Sequence, residues 1–225
     1  MKRVLVLRPE PGASVTVERA RQRGIQAVAL PLFEVEPIGW GAPEASRFDG
    51  LLLTSANAVR CAGDQLKDLR GLQVYAVGPS TAEAAREAGF DIASTGEAGV
   101  DRLLASIDSE LRLLHLSGED RRPPEGAKQR ITVFSVYRSR ARENVVLDSA
   151  RDKVALIHSP RAGRRFAELV DASGLDRNTI AIAAISTEAA GAVGDGWAAV
   201  EAPETPNDDA LLALAERLCN KVRAT

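Results

Sequence analysis

The sequence predicts an α/β protein with parallel sheets, built from two copies of one unit. Two observations carry this. Short apolar runs alternate with longer helical patterns along the whole chain, and such alternation builds parallel sheets with helices on their faces. The chain also repeats itself. Leu51-Leu-Leu-Thr-Ser-Ala-Asn-Ala-Val-Arg60 returns as Ala155-Leu-Ile-His-Ser-Pro-Arg-Ala-Gly-Arg164, each an apolar run, a hydroxyl at the turn and a helical pattern. Ser55 and Ser159 are separated by 104 positions. Ala76-Val-Gly-Pro matches Ala184-Ile-Ser-Thr at an offset of 108, and Leu5-Val-Leu-Arg matches Leu114-His-Leu-Ser at 109. Gly24-Ile-Gln-Ala-Val loosely matches Arg130-Ile-Thr-Val-Phe at 106.

Residues 3–7 form a first strand. Arg8-Pro-Glu-Pro-Gly turns the chain, with Pro11 suited to a helix start. Residues 13–23 are a helix closed by Gly24, and residues 25–30 a second strand, which makes a parallel βαβ unit. Residues 31–43 are proline-rich and read as a crossing between two bodies, with a short extended stretch. Strand 48–53, helix 56–70, strand 73–77 and the helix opened by Gly78-Pro-Ser-Thr81 and ending at Gly89 follow. Next come a short strand at 91–93, a helix at 100–107, a strand at 112–116 ending in Ser117-Gly118, and a helix at 123–129. Residues 131–136 are a strand of β-branched and aromatic residues, and Tyr137-Arg-Ser-Arg-Ala-Arg142 leaves it as a second polar crossing. A helix at 143–150, a strand at 154–157, a helix at 162–172 and a strand at 180–184 continue the alternation. Ser186-Thr-Glu188 caps a helix ending near Gly194, 197–200 is an edge strand, and 206–222 is a closing helix opened by Thr205 and Asn207.

Composition narrows the classes. The 225 residues are 45% hydrophobic and 27% charged, a globular balance, and no apolar run approaches the roughly 20 residues of a membrane span. The basic, then apolar start turns charged at Arg8 and Glu10, too early for a secretory signal, so a cytoplasmic protein is expected. Cys61 and Cys219 lack metal or redox spacing and are expected as small helix-borne thiols. His115 and His158 end strands and read as packed side chains rather than metal ligands. The net charge of −2 excludes general affinity for nucleic acid. Residues 121–165, however, hold twelve Lys or Arg against four acidic residues, an excess of eight positive charges. That is either an anion-attracting region or a solvated basic face. No extended apolar helix face is evident, which predicts a monomer.

The turns after Leu7, Leu53, Val77, Leu116, Ile157 and Ile185 all lie at the carboxyl ends of strands. Open α/β sheets receive ligands there, and helix N-termini attract anions. A serine at such a turn is also an ordinary N-cap. The sequence holds no dinucleotide glycine motif, no phosphate-binding Gly-Lys-Ser/Thr, no Gly-x-Ser-x-Gly elbow and no obvious carboxylate dyad. Tyr137, at a strand end, is either a proton donor into a cleft or a half-buried strand aromatic. The residues alone describe two α/β bodies whose cleft takes a small anion. An enzyme and a non-enzymatic two-lobed binding module for an anionic metabolite both fit.

The chain resembles the uroporphyrinogen-III synthase family across essentially its whole length. The matching pieces are Val4-Leu-Val-Leu-Arg-Pro9, Phe48-Asp-Gly-Leu-Leu-Leu-Thr-Ser55 and Tyr75-Ala-Val-Gly-Pro-Ser-Thr-Ala82. Leu116-Ser-Gly118, Val136-Tyr-Arg138, Ile157-His-Ser-Pro160, Ala184-Ile-Ser186 and Ala202-Pro-Glu-Thr-Pro206 complete the set. The resemblance implies two flavodoxin-like parallel-sheet lobes joined by two extended crossings. One lobe takes residues 1–36 plus 141–225 and the other residues 37–140. It also implies cyclisation of hydroxymethylbilane to uroporphyrinogen III, with inversion of the last pyrrole ring through a spiro intermediate. The resemblance implies a reaction without cofactor or metal.

By the same resemblance Tyr137 is the expected catalytic proton donor. Arg8, Ser55, Gly78, Thr81, Ser117, Gly118, Ser159, Arg161, Ser186 and Thr187 are the expected contacts to the octacarboxylate substrate. One turn departs from the pattern. Where some members read Gly-Pro-Thr-Thr, this chain reads Ser186-Thr-Glu-Ala189, which removes a threonine and adds the charge of Glu188.

Overall fold

The computed structural model describes residues 4–96, 99–121, 123–147 and 150–221. Arg3 and Val222, expected in the first strand and last helix, lie outside the described residues, as do Arg122 and Asp148 of the basic segment. The chain divides into two compact units, Met1–Glu34 with Ala141–Thr225, and Val35–Arg140.

The first unit holds the strands β1 (Val4–Val6), β2 (Ala27–Ala29), β9 (Val154–Ile157), β10 (Ala181–Ala184) and β11 (Ala199–Glu201). They form one parallel sheet in the order β11-β10-β9-β1-β2. The second unit holds β4 (Gly50–Leu53), β5 (Gln73–Val77), β6 (Ile92–Gly96), β7 (Arg112–Gly118) and β8 (Arg130–Ala141), with β3 (Phe33–Pro37) at the edge of the sheet. Its order is β3-β8-β7-β4-β5-β6. Both sheets share one plan. With β1 matched to β7, β2 to β8, β9 to β4, β10 to β5 and β11 to β6, each reads 2-1-3-4-5, the flavodoxin-like order. The sequence offsets of 104 to 109 connect these same strands. In the second unit the chain enters at the third strand of the plan and finishes with the first two. β3 and β8 carry the chain across the boundary between the two units.

The central strands are apolar on both faces because helices cover both. In the first unit Leu5, Leu7, Ala155, Ile157, Ile182 and Ala184 pack beneath α5 (Pro160–Ala172) and α6 (Thr187–Gly191), around Phe166 stacked 5.6 Å from Trp197. Val4, Val6, Val154, Leu156, Ala181 and Ala183 face α1 (Gly12–Gln22) and α7 (Asp208–Lys221). In the second unit Leu51, Leu53, Val74, Ala76, Leu114 and Leu116 face α2 (Ala56–Cys61) and α3 (Pro79–Glu87). Leu52 and Leu113 face α4 (Val100–Ala105). Among the described residues no helix is long and apolar enough to cross a membrane.

Four expectations are corrected. The helix expected at 56–70 breaks at Gly63, which adopts φ 68°, into α2 and a 3₁₀ segment at Asp64–Leu69. Residues 123–129 are irregular rather than helical; the Pro123-Pro124 pair and Gly126, with φ 71°, oppose a helix. Residues 143–147 are also irregular, with Asn144 at φ 56°. Tyr137-Arg-Ser-Arg-Ala141 continues β8 instead of leaving it. On that strand Arg138 pairs with Glu36 at 3.0 Å, and Arg142, just past its end, pairs with Glu34 at 2.8 Å. Glu34 and Glu36 therefore take up part of the positive excess.

Candidate functional site

Successive side chains of a strand point to opposite faces, and this sorts the expected residues. In the second unit Leu114, Leu116 and Gly118 form one row of β7, on the α2/α3 face. Leu113, His115 and Ser117 form the other row, on the α4 face. Ser117 is buried and its hydroxyl donates to the Gly118 carbonyl at 3.2 Å. It is therefore separated from the other expected contacts of this unit. Below it, His115 Nε2 lies 3.1 Å from Thr54 Oγ1. Burial, helped by the charge of Arg121, pushes the His115 imidazole down to about 4, so it is neutral at physiological pH.

On the α2/α3 face the carboxyl edge collects Ser55, Gly78, Gly118 and Tyr137. Ser55 caps α2, its Oγ accepting the Asn57 N–H at 3.2 Å. Gly78 precedes α3 with φ 86°, a conformation that favours glycine, and Pro79 opens the helix. Thr81 lies in the first turn of α3 but is buried there. Nine residues of α3 run behind Gly78 and six of α2 behind Ser55.

Tyr137 reaches this face through an irregularity. Along β8, Phe134 and Val136 pack on the α2/α3 side, as alternation requires. Tyr137, the next residue, packs there too. The register explains it: Ser117 pairs with Ser135, but Gly118 pairs with Tyr137, so Val136 is the extra residue of a β-bulge. The Tyr137 carbonyl accepts the Glu119 N–H at 2.9 Å, which ties the strand down beyond the bulge.

In the first unit the expected residues separate onto two faces. Ser159 and Ser186 cap α5 and α6, each Oγ accepting a backbone N–H at 3.2 Å, from Ala162 and Ala189 respectively. Arg161, in the first turn of α5, holds its guanidinium 4.5 Å from the Phe33 ring centroid, a cation–π contact. Thr187 and Glu188 are exposed in the single turn of α6. Arg8 belongs to the opposite face. Its Nη1 lies 3.4 Å from Asp208 Oδ1 and 3.5 Å from Thr16 Oγ1.

Asp208 is the polar centre that sequence reasoning missed. It also accepts the Thr16 hydroxyl at 2.9 Å and meets His158 Nε2 at 3.1 Å, with Arg19 at 3.5 Å. Burial alone raises a carboxyl, but here the bonds from His158 and Thr16 and the charge of Arg8 outweigh it and hold Asp208 well below the usual carboxylate range. His158 is pushed down by burial, so neutral imidazole donates from Nε2 to the acceptor-only carboxylate. Asp208 thereby ties α7 to the ends of β1 and β9 and takes up much of the Arg8 charge. The only local signal was the acidic pair Asp208-Asp209 in the first turn of the last helix.

The comparisons with known proteins agree in kind. The family model described as Uroporphyrinogen-III synthase HemD matches residues 14–213. The uroporphyrinogen-III synthase of Chlorobaculum parvum is 35% identical over 118 residues, a stretch spanning 48% of this chain and 48% of that protein. Among solved structures, the uroporphyrinogen-III synthetase of Helicobacter pylori aligns with a TM-score of 0.64 at 16% identity, covering 97% of this chain and 100% of that one. A mutant uroporphyrinogen III synthase from Thermus thermophilus aligns at 0.56 and 19%, covering 98% and 100%. At those identities the structures speak to the fold. The family match begins inside α1, ends inside α7 and takes in every strand from β2 to β11, and the chain belongs to the uroporphyrinogen-III synthase HemD family.

Proposed function

We propose that the chain cyclises hydroxymethylbilane to uroporphyrinogen III, releasing water and inverting the last pyrrole ring. The observation that carries this is the family match across residues 14–213, which takes in both units. The substrate is an octacarboxylate. Helix N-termini at Gly78 and Ser159 and the Arg161 guanidinium suit such a ligand, each dipole contact contributing roughly 0.3–1 kcal/mol when exposed. Ser55, Ser186 and Thr187 offer contacts on shorter helices. The buried Thr81 and Ser117 act by shaping their turns.

Tyr137 donates its phenolic proton to the departing hydroxyl of the substrate, and water leaves. The resulting cation is delocalised over the pyrroles. The substituted carbon of the last ring attacks it, giving a spiro intermediate that reopens and recloses as the inverted isomer. The proton that the last ring sheds as it regains aromaticity restores the phenol of Tyr137. The protein's contribution is orientation, which holds the attacking carbon in place against the less hindered alternative. We read the working form as a cytoplasmic monomer. Among the described residues the exposed large apolar side chains are Val15, Val28, Val146 and Val200, which suits a protein without an extended apolar docking face.

Isomer analysis of product from freshly generated hydroxymethylbilane tests both statements. The expected result is type III isomer from the wild type and mostly the spontaneous type I isomer from Tyr137→Phe. Type I alone from the wild type would overturn the activity. Type III from both at equal rates would leave Tyr137 a packing residue.

A further inference from the structure

Gly118 is a glycine for reasons of space, not of backbone. Its φ lies outside the positive region adopted by Gly78 and eight other glycines, so an alanine there meets no conformational objection. The space above it is taken. A Cβ at Gly118 would lie 2.8 Å from Tyr137 Cε2 and Cζ and 3.1 Å from the phenolic oxygen. In the row Leu114, Leu116, Gly118, the third position has given up its side chain, and the ring of Tyr137 from the neighbouring strand occupies the place.

We propose that Gly118 and the β-bulge at Val136 together form a seat that fixes the Tyr137 phenol on the α2/α3 face of the sheet. Gly118 is thus a positioning residue rather than a substrate contact. Its part in catalysis rests on the reading of Tyr137 as proton donor. The two features are complementary. Without the bulge, alternation would send Tyr137 to the side of Ile131 and Val133, away from the starts of α2 and α3. Without the glycine, the redirected ring would have no room to lie against β7. The hydrogen bond from Glu119 N–H to the Tyr137 carbonyl holds the backbone beneath the ring, so an added methyl group displaces the phenol rather than the strand.

The same sheet supplies a control. Gly50, at the amino end of β4, also lies under an aromatic ring: a Cβ there would be 2.6 Å from Tyr75 Cε2. Glycine–aromatic pairs across strands are an ordinary way to fill a sheet. Gly50→Ala therefore reports the cost of such a clash at the end of the strand remote from the candidate site.

Gly118→Ala, Gly50→Ala, Tyr137→Phe, Tyr137→Ala and the double variant Gly118→Ala/Tyr137→Ala decide the matter through two readouts, product isomer share and thermal midpoint. The expected result is that Gly118→Ala slows turnover at least tenfold and raises the type I share to that of Tyr137→Phe. Gly50→Ala lowers the midpoint but leaves the isomer share at the wild-type value. The midpoint loss caused by Gly118→Ala disappears when the ring is removed in the Tyr137→Ala background. If Gly118→Ala alone does not fold, recovery of folding in the double variant supports the seat. Where Tyr137→Phe loses type III selectivity, a wild-type isomer share from Gly118→Ala overturns it, and a midpoint loss that persists without the ring overturns it in every case. If Tyr137→Phe itself keeps full type III activity, the proton-donor reading fails alone, and the midpoint comparison still decides whether Gly118 seats the ring.

Discussion

His115 makes the fold acid-sensitive. An unfolded histidine takes up its proton near pH 6.5, while the folded imidazole resists until about 4. Between those values the unfolded chain binds more protons, so stability falls as pH falls, by about 3 kcal/mol over the window. His158, also pushed down by burial, acts in the same direction. Asp208 adds a loss as pH falls below the ordinary aspartate range, where the unfolded carboxyl takes up a proton that the folded one resists, and the loss is complete once the folded carboxylate protonates. Replacement His115→Gln keeps a group able to bond Thr54 and removes one titration. The thermal midpoint of that variant is expected to decline less between pH 6.5 and 4 than that of the wild type; parallel curves would refute the assignment. At this scale the serine caps were legible, because an N-cap bonds only two or three residues ahead. The Asp208 cluster was not, because Thr16 and Arg8 lie 192 and 200 positions away. Nor was the facing of Ser117, which requires knowing which strand neighbours which.

The helices differ in how much a cap matters to them. α5 runs thirteen residues on an apolar face centred on Phe166, and Ser159 starts it. Ser159→Ala is expected to lower unfolding free energy by about 1 kcal/mol. Ser186→Ala, at a helix of five residues, is expected to cost less. Urea midpoints at constant slope measure both; a larger loss at Ser186 would show that the short turn carries more of the fold than its length suggests. Strands at the centres of the sheets were legible, because buried parallel strands leave apolar runs such as Leu51-Leu-Leu53 and Val154-Ala-Leu-Ile157, whereas the edge strand β3 read only as a crossing with a short extended stretch. Elements failed where local pattern and chain path diverge. The helical pattern from Ala56 onward continues past Gly63, but the backbone does not. β8 looked finished at Val136 because its outer residues turn to arginine, yet the strand continues with Glu36 balancing Arg138 and Arg140.

Across the molecule, charge is arranged locally rather than as one field. Arg138, Arg140 and Arg142 are matched by Glu34 and Glu36, and Arg165 by Glu168. Exposed pairs of this kind contribute little stability. Their effect is to reduce the positive excess available to an anionic substrate. If the proposed octacarboxylate is the substrate, its attraction is sensitive to screening, whose length shrinks from about 30 Å at 0.01 M salt to about 3 Å at 1 M. KM for the bilane is expected to rise severalfold over that range while kcat changes little; a flat KM would mean that recognition is not electrostatic. The duplication was legible from the offsets, since each repeated stretch occupies the same place in its sheet. The difference in strand entry was not, because sequence offsets do not report where along a shared plan the chain begins.

That entry point sets an order of assembly during synthesis. The second unit is one continuous segment, and its central pair, Gly50 with Leu113, closes over 63 positions. In the first unit Val4 must wait for Val154, 150 positions later. At roughly 5–20 residues per second the gap lasts roughly 8–30 s. Through that interval Val4, Leu5, Val6 and Leu7, all fully buried in the finished protein, have no sheet to join except β2. Ribosome-arrested chains released through residue 140 should therefore resist protease across the second unit while their first thirty residues are cut. The aggregation-prone moment in this protein's life falls at its N-terminal strand, before the partner that covers it has been made.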